Sequence, residues 1–197
     1  IIVGVFDPTD SGEQPRGKQV HEPLDIWYTA STGIWQTVWL EPVPDTRVGG
    51  LRITPDVDND GVLVAVNVDG SVGEVWAQVS VKQGGRSVAV KSGLPPGPFF
   101  LSVPNVILWS PANPHLYDLE VKLFRGDTLI DEVYSYFGMR KISAGTIDGV
   151  PRVLLNNEPL FQVGVLDQGY WPDGLYTAPA DEALRFDIEL ASSLGFN

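Results

Sequence analysis

Cysteine is missing altogether from this 197-residue chain. That excludes disulfide scaffolds, thiolate-bound zinc and thiol nucleophiles, while leaving the redox compartment open. Histidine is nearly as scarce. His21 and His115 are the two imidazoles, and neither has the Cys/His spacing that would hold a metal. No apolar run reaches the ~18 residues that suggest a membrane span. A G-x-S-x-G elbow is absent, so a serine triad lacks its nucleophile. Phosphate-cradling G-x-G-x-x-G and G-x-x-x-x-G-K loops are absent too. Basic residues are few, 13 Lys and Arg against 25 Asp and Glu, for a net charge of −12. A nucleic acid needs a Lys/Arg patch to displace its counterions. The expectation is therefore no nucleic-acid partner, no membrane contact, no metal and no cofactor. A neutral ligand such as a sugar is compatible with the charge.

What is present is hydrophobic, turn-rich and β-favouring: 43% apolar residues, 21 Gly and 16 Pro. Residues 1–44 open with the strand-like run Ile1–Val5 and continue through turn chemistry at Asp7–Gly12. Two aromatic stretches, Ile26–Tyr28 and Ile34–Leu40, read as further strands. Ile1-Ile2-Val3 reads as mid-strand, so the chain is expected to begin inside a domain. Residues 45–140 hold seven strand-like stretches at roughly 51–54, 62–68, 74–81, 86–91, 99–103, 116–124 and 129–137. Val62, Val64, Val66 and Val68 share one face. Tyr117, Leu119, Val121 and Leu123 share another, with Asp118, Glu120 and Lys122 opposite. Seven short strands with turns between them predict an immunoglobulin-like sandwich without its disulfide. In residues 141–197, Asn156-Asn157 marks a hairpin turn. An apolar strand is expected over Leu160–Leu166, then an aromatic, acidic loop over Asp167–Gly174. A helix from about Pro179 to Leu194, closed by Gly195, carries Leu184, Ile188, Ala191 and Leu194 on one face. Strand, loop and helix form the repeating unit of an α/β barrel, and one unit closes nothing.

Three stretches resemble glycoside hydrolase family 2, in that family's order. Gly33-Ile-Trp-Gln-Thr-Val-Trp-Leu-Glu-Pro42 resembles the end of its N-terminal jelly-roll. Trp109-Ser-Pro-Ala-Asn-Pro-His-Leu-Tyr117 resembles its second domain, and Phe137-Gly-Met-Arg-Lys-Ile142 the exit into its barrel. The resemblance implies a mainly β fold: 1–44 the C-terminal part of a jelly-roll, 45–140 the sandwich, 141–197 the first β/α unit of a truncated TIM barrel. It implies a retaining glycosidase in which two glutamates act as acid/base and nucleophile. Both belong on later barrel strands, so this chain is expected to carry no catalytic residue. Glu158, Glu182 and Glu189 fall in a hairpin and a helix, on the wrong side of the strand-to-loop geometry. In the β-galactosidases of the family an Asp reaches the sugar where Trp27 stands here, which argues against a galactosidase.

Barrel enzymes build their sites on the loops after the strands. Asp167, Gln168, Tyr170, Trp171 and Asp173 are therefore the expected substrate-binding residues, with Trp171 the stacking candidate. The bland alternative makes Pro172-Asp173-Gly174 a plain turn and Asp167 a cap. Trp35, Trp39 and Trp76, in expected strands, are assigned to the core or an interdomain face. Asp56-Val-Asp58-Asn-Asp60-Gly61 matches half a calcium loop, but Asn67 stands where the bidentate Glu belongs and the flanks are strands. A solvated acidic turn is the preferred reading. The whole is read as a non-catalytic fragment of a carbohydrate-cleaving enzyme that meets its sugar substrate in the intact protein, with exposed apolar edges that favour homodimers. One rival is a stand-alone carbohydrate-binding or adhesion module, for which the C-terminal helix would have no use. The other is a structural immunoglobulin-like domain with disordered flanks.

Overall fold

The structure is a computed structural model describing residues 1–197. Twelve strands and one α-helix fall into two compact units: Ile1–Leu40 with Gln162–Asn197, and Glu41–Phe161. The first unit has little ladder. Its strands β1 (Gln19–Val20) and β2 (Tyr28–Thr29) are two residues each and pair in parallel.

The second unit holds all seven expected sandwich strands: β3 (Arg47–Asp56), β4 (Gly61–Asp69), β5 (Val75–Gln83), β6 (Arg86–Gly93), β7 (Phe99–Ser102), β8 (Tyr117–Arg125) and β9 (Thr128–Phe137). They form two antiparallel sheets, β3-β4-β7 and β6-β5-β8-β9. The fourth strand pairs with the third, not with the first sheet as in constant-type immunoglobulin domains. The core follows from the period of two. Val62, Val64 and Val66 on β4 and Tyr117, Leu119, Val121 and Leu123 on β8 are fully buried, with Val75, Ala77, Val79 and Val81 of β5. Each buried Val or Leu contributes about 1.5–3 kcal/mol, so aliphatic packing can replace a disulfide. Tyr117 adds a tyrosine corner: its hydroxyl oxygen accepts from the Ile107 amide, ten residues upstream, at 2.9 Å. The sheets are also tied across, where the Asp131 carboxylate on β9 accepts from the Val48 amide at 2.7 Å.

On the outer face Glu120 is only 7% exposed. It survives there because Lys82 Nζ lies 2.8 Å and Lys122 Nζ 3.4 Å away. The Lys82 hydrogen bond, then that of Lys122, holds its carboxyl below the ordinary range. Lys122 continues to Glu132 at 3.0 Å, and that bond leads the causes raising its own pKa.

The same unit contains a third sheet, of which the sequence signalled only one turn: β10 (Ile142–Ile147), β11 (Val150–Leu155) and β12 (Glu158–Pro159). Both its turns need left-handed backbone. Asp148-Gly149 has φ of 50° and 77°, and Asn156-Asn157 has 53° and 70°, the double positive φ of a type I′ turn. The hairpin expected at Asn156-Asn157 is thus present, and it is fastened to the sandwich. Asn156 accepts from the Lys141 amide (3.0 Å) and donates to the Trp109 carbonyl (3.0 Å). Asp58 takes Lys141 Nζ at 2.5 Å on one oxygen and Asn157 Nδ2 at 2.9 Å on the other. The calcium-like stretch is a short 3-10 turn, Val57–Asn59, capped by Asp56. Its central carboxylate is engaged by an ammonium and an amide. Those partners, Lys141 first, lower the Asp58 pKa.

The helix α1 (Asp181–Ser193) stands where expected. Gly195, at φ 90°, ends it in a Schellman closure: Phe196 donates to the Ala191 carbonyl (3.1 Å) and Gly195 to that of Ser192 (3.0 Å). It is 13 residues long, too short to cross a membrane.

Several expected strands do not form. Ile1–Val5, Ile34–Leu40 and Leu160–Leu166 have strand composition but sit in no ladder. A strand of this kind exists through its neighbours, and here Val163 exchanges hydrogen bonds with Asn197 alone of any sheet-like partner, at 2.9 and 3.0 Å. Phe161 and Leu166 are consequently 81% and 85% exposed. The segment expected to open a barrel, residues 160–194, folds as a loop and the helix α1 and contributes no strand to a sheet, so a β/α barrel unit is not formed. Trp35 and Trp39, assigned to the core or an interdomain face, lie outside the buried core, 53% and 74% exposed on the ladderless stretch Ile34–Leu40. Trp76 does pack, stacked on Phe124 at 4.3 Å between centroids, its Nε1 donating to the Gly126 carbonyl.

Candidate functional site

The loop between Leu166 and α1 is shaped by its own backbone. Asp167 accepts from the Gly169 amide at 2.7 Å, an Asx-type turn at a glycine with φ 62°. Trp171 and Leu175 exchange both backbone hydrogen bonds, at 2.7 and 3.1 Å, closing a tight loop around Pro172, Asp173 and Gly174. Gly174 is required there, since a Cβ would collide with the Thr177 carbonyl oxygen. Leu175 is held at φ 55°, a left-handed conformation that a γ-branched residue adopts only when its surroundings impose it.

A residue from β2 organises the loop. The Tyr28 ring stacks on Tyr170, centroids 4.4 Å apart and planes 11° apart, and its hydroxyl donates to Gln168 Oε1 at 2.8 Å. The Tyr170 hydroxyl returns a hydrogen bond to the Thr29 carbonyl, and Tyr176 meets the Tyr170 ring edge-on at 5.4 Å. Burial, followed by the neighbouring Tyr176 and Tyr28, pushes the Tyr170 phenol above its ordinary pKa. It therefore stays protonated and able to donate.

These contacts wall a cavity of about 820 Å³ lined by Tyr28, Gln168, Tyr170 and Trp171, by Asp167, and by Asp187 of α1. Its size is that of a small-molecule pocket. Four of the five residues singled out from sequence, Asp167, Gln168, Tyr170 and Trp171, come together here. Asp173 lies at the tip of the turn and lines no part of this cavity. Tyr28 and Asp187 were missed. Tyr28 falls in an expected strand beside Trp27, and Asp187 is a polar residue on the same helical face as Leu184, Ile188, Ala191 and Leu194. Of the glutamates considered, Glu158 sits in the β11–β12 hairpin and Glu182 and Glu189 on α1; none lines the cavity.

Residues 37–140, more than half the chain, match the family model of Glycosyl hydrolases family 2. The chain belongs to that family. A β-galactosidase of Leuconostoc mesenteroides is 32% identical over 200 residues, covering 89% of this family-2 chain and 18% of that protein. A β-galactosidase of Klebsiella pneumoniae is 30% identical over 164 residues, covering 73% and 15% respectively. The chain thus spans less than a fifth of the curated relatives it matches. In fold it is similar to a β-glucuronidase from Ruminococcus gnavus in complex with D-glucuronic acid. The TM-score is 0.66 at 21% identity, over 78% of this chain and 26% of that one. The apo form of that enzyme aligns equally, with a TM-score of 0.66.

Proposed function

We propose that this chain is a supporting, non-catalytic part of a retaining glycoside hydrolase, and that its loop 167–177 touches the carbohydrate substrate. In this reading residues 1–44 derive from a jelly-roll, 45–140 form the bracing sandwich, and 141–197 open a catalytic barrel. The observation that carries it is the cavity around Tyr170 and Trp171, where aromatic rings and two carboxylates stand on an otherwise largely aliphatic wall, in a chain whose sandwich matches a glycosidase family. Pyranose C–H faces pack on such rings, while their hydroxyls donate to carboxylates and amides. Retaining hydrolysis needs two carboxyl groups about 5–5.5 Å apart on either side of the scissile bond. Glu158, Glu182 and Glu189 are spread over a hairpin and an exposed helix. The exposed apolar side chains of the first unit, Trp39 and Leu166 among them, favour contact with further protein, a second copy included.

The test is turnover. Purified chain incubated with nitrophenyl β-galactoside, β-glucuronide and β-mannoside is expected to release no nitrophenol above buffer. Release that scales with protein and survives a mock purification would refute the non-catalytic reading.

A further inference from the structure

The cavity beside Tyr170 and Trp171 is lined by charge of one sign. Asp167 contributes from the loop and Asp187 from α1, and no Lys, Arg or His borders it. An adjoining cavity of about 970 Å³ shares Gln168 and Trp171 as its wall. It adds Asp181 and again has no basic residue. The basic side chains of this unit are Arg16, Lys18, His21 and Arg185, and none reaches either lining. Arg16 instead lies over the Trp27 ring at 5.4 Å, and His21 Nε2 stands 3.4 Å from Asp10.

We infer that the sugar received against Trp171 is a neutral pyranoside, and that a uronic acid is turned away by Asp167 and Asp187. This rests on the reading of loop 167–177 as substrate-contacting, and goes beyond it by naming the class of substrate. A uronate carboxylate is recognised by a guanidinium or ammonium that supplies charge-assisted hydrogen bonds. Neither cavity offers one. A neutral sugar presents hydroxyl donors, which carboxylates and the Gln168 carbonyl accept, and a C–H face for the Trp171 or Tyr170 ring. Two carboxylates facing a third are an element of discrimination by repulsion. The likeness to a β-glucuronidase at 21% identity carries the fold and leaves the ligand open.

The experiment follows the Trp171 indole N–H resonance of the 197-residue chain, assigned with Trp171→Phe. Methyl β-D-galactopyranoside and the sodium salt of methyl β-D-glucuronide are titrated in parallel. The neutral glycoside is expected to shift the resonance, and the uronide to need about tenfold more ligand, the scale of one partly screened like-charge contact. Asp167→Asn with Asp187→Asn should narrow that gap. Raising the salt on the unaltered protein should narrow it too, because a partly exposed repulsion is screened. Equal or tighter uronide binding, or a gap that ignores both salt and the substitutions, overturns the inference while leaving the loop a sugar contact. Silence of Trp171 toward both sugars overturns the loop reading and this inference together.

Discussion

Tyr117 shows how much one hydroxyl does in this fold. Its ring is fully buried between His115, edge-on at 4.8 Å, and Phe137, stacked at 5.6 Å, while its oxygen satisfies the Ile107 amide. Tyr117→Phe keeps the packing and strips the acceptor, leaving a half-buried N–H with part of its desolvation cost. The expected loss is about 1–3 kcal/mol, read as a lower urea midpoint at unchanged m-value. A shift within error would show that Ile107 finds another partner. The alternation Tyr117, Leu119, Val121, Leu123 reveals that the ring points inward. It says nothing of the amide ten residues away, because the crossover between β7 and β8 is irregular and only its folded path brings Ile107 back. Asn156 was readable further. An Asn-Asn pair between apolar stretches specifies a turn, yet its hydrogen bonds to Lys141 and Trp109 belong to tertiary structure.

At the scale of elements, the hairpin β11–β12 and the turn Val57–Asn59 hold each other through Asp58, Lys141 and Asn157. Sheet β6-β5-β8-β9 carries a comparable network around Glu120. Both carboxyls have pKa values lowered in the folded chain, from ordinary values of 3.8 and 4.5. On acidification the unfolded chain therefore binds protons first. The stabilisation is full above about pH 4.5 and drains as pH falls through the lowered folded values. Asp58→Asn should flatten the acid limb of the stability–pH curve as pH falls below the ordinary Asp value of 3.8, with little change in slope near neutrality. Urea unfolding at half-unit pH steps reads this, and an acid limb as steep as that of the unaltered chain would remove Asp58 from the account. Element type was legible wherever a stretch pairs with its neighbours in sequence. β8 and β9, joined through the Asp127 region, appear within a residue or two of expectation. It failed at Leu160–Leu166, because an apolar run becomes a strand only where remote segments supply its hydrogen-bond partners, which local composition cannot reveal.

For the whole molecule, the division of contacts matters more than the count of strands. The buried cluster from Val62 to Met139 lies entirely within Glu41–Phe161, and α1 in the other unit buries no residue. Residues 41–161 prepared alone are expected to unfold in one cooperative transition, with a urea midpoint close to that of the main transition of the full chain. Circular dichroism and tryptophan fluorescence should coincide through it. A non-cooperative melt of 41–161 would mean that the sandwich depends on the flanking segments.

Local chemistry settled the sandwich in advance: period-two valines, Asn and Gly at positive-φ turns, and a glycine-closed helix each act within a few residues of chain. Residue order likewise carried the family likeness and placed Asp167, Gln168, Tyr170 and Trp171 of the cavity in one loop. Folding alone brought Tyr28 onto Tyr170 across some 140 residues of sequence, put Asp187 in the lining of the same cavity as Asp167, and turned a calcium-like stretch into the anchor of a hairpin. Those contacts join segments whose separation along the chain leaves no periodic trace. Their partners are chosen by where the backbone returns, and composition holds no record of that.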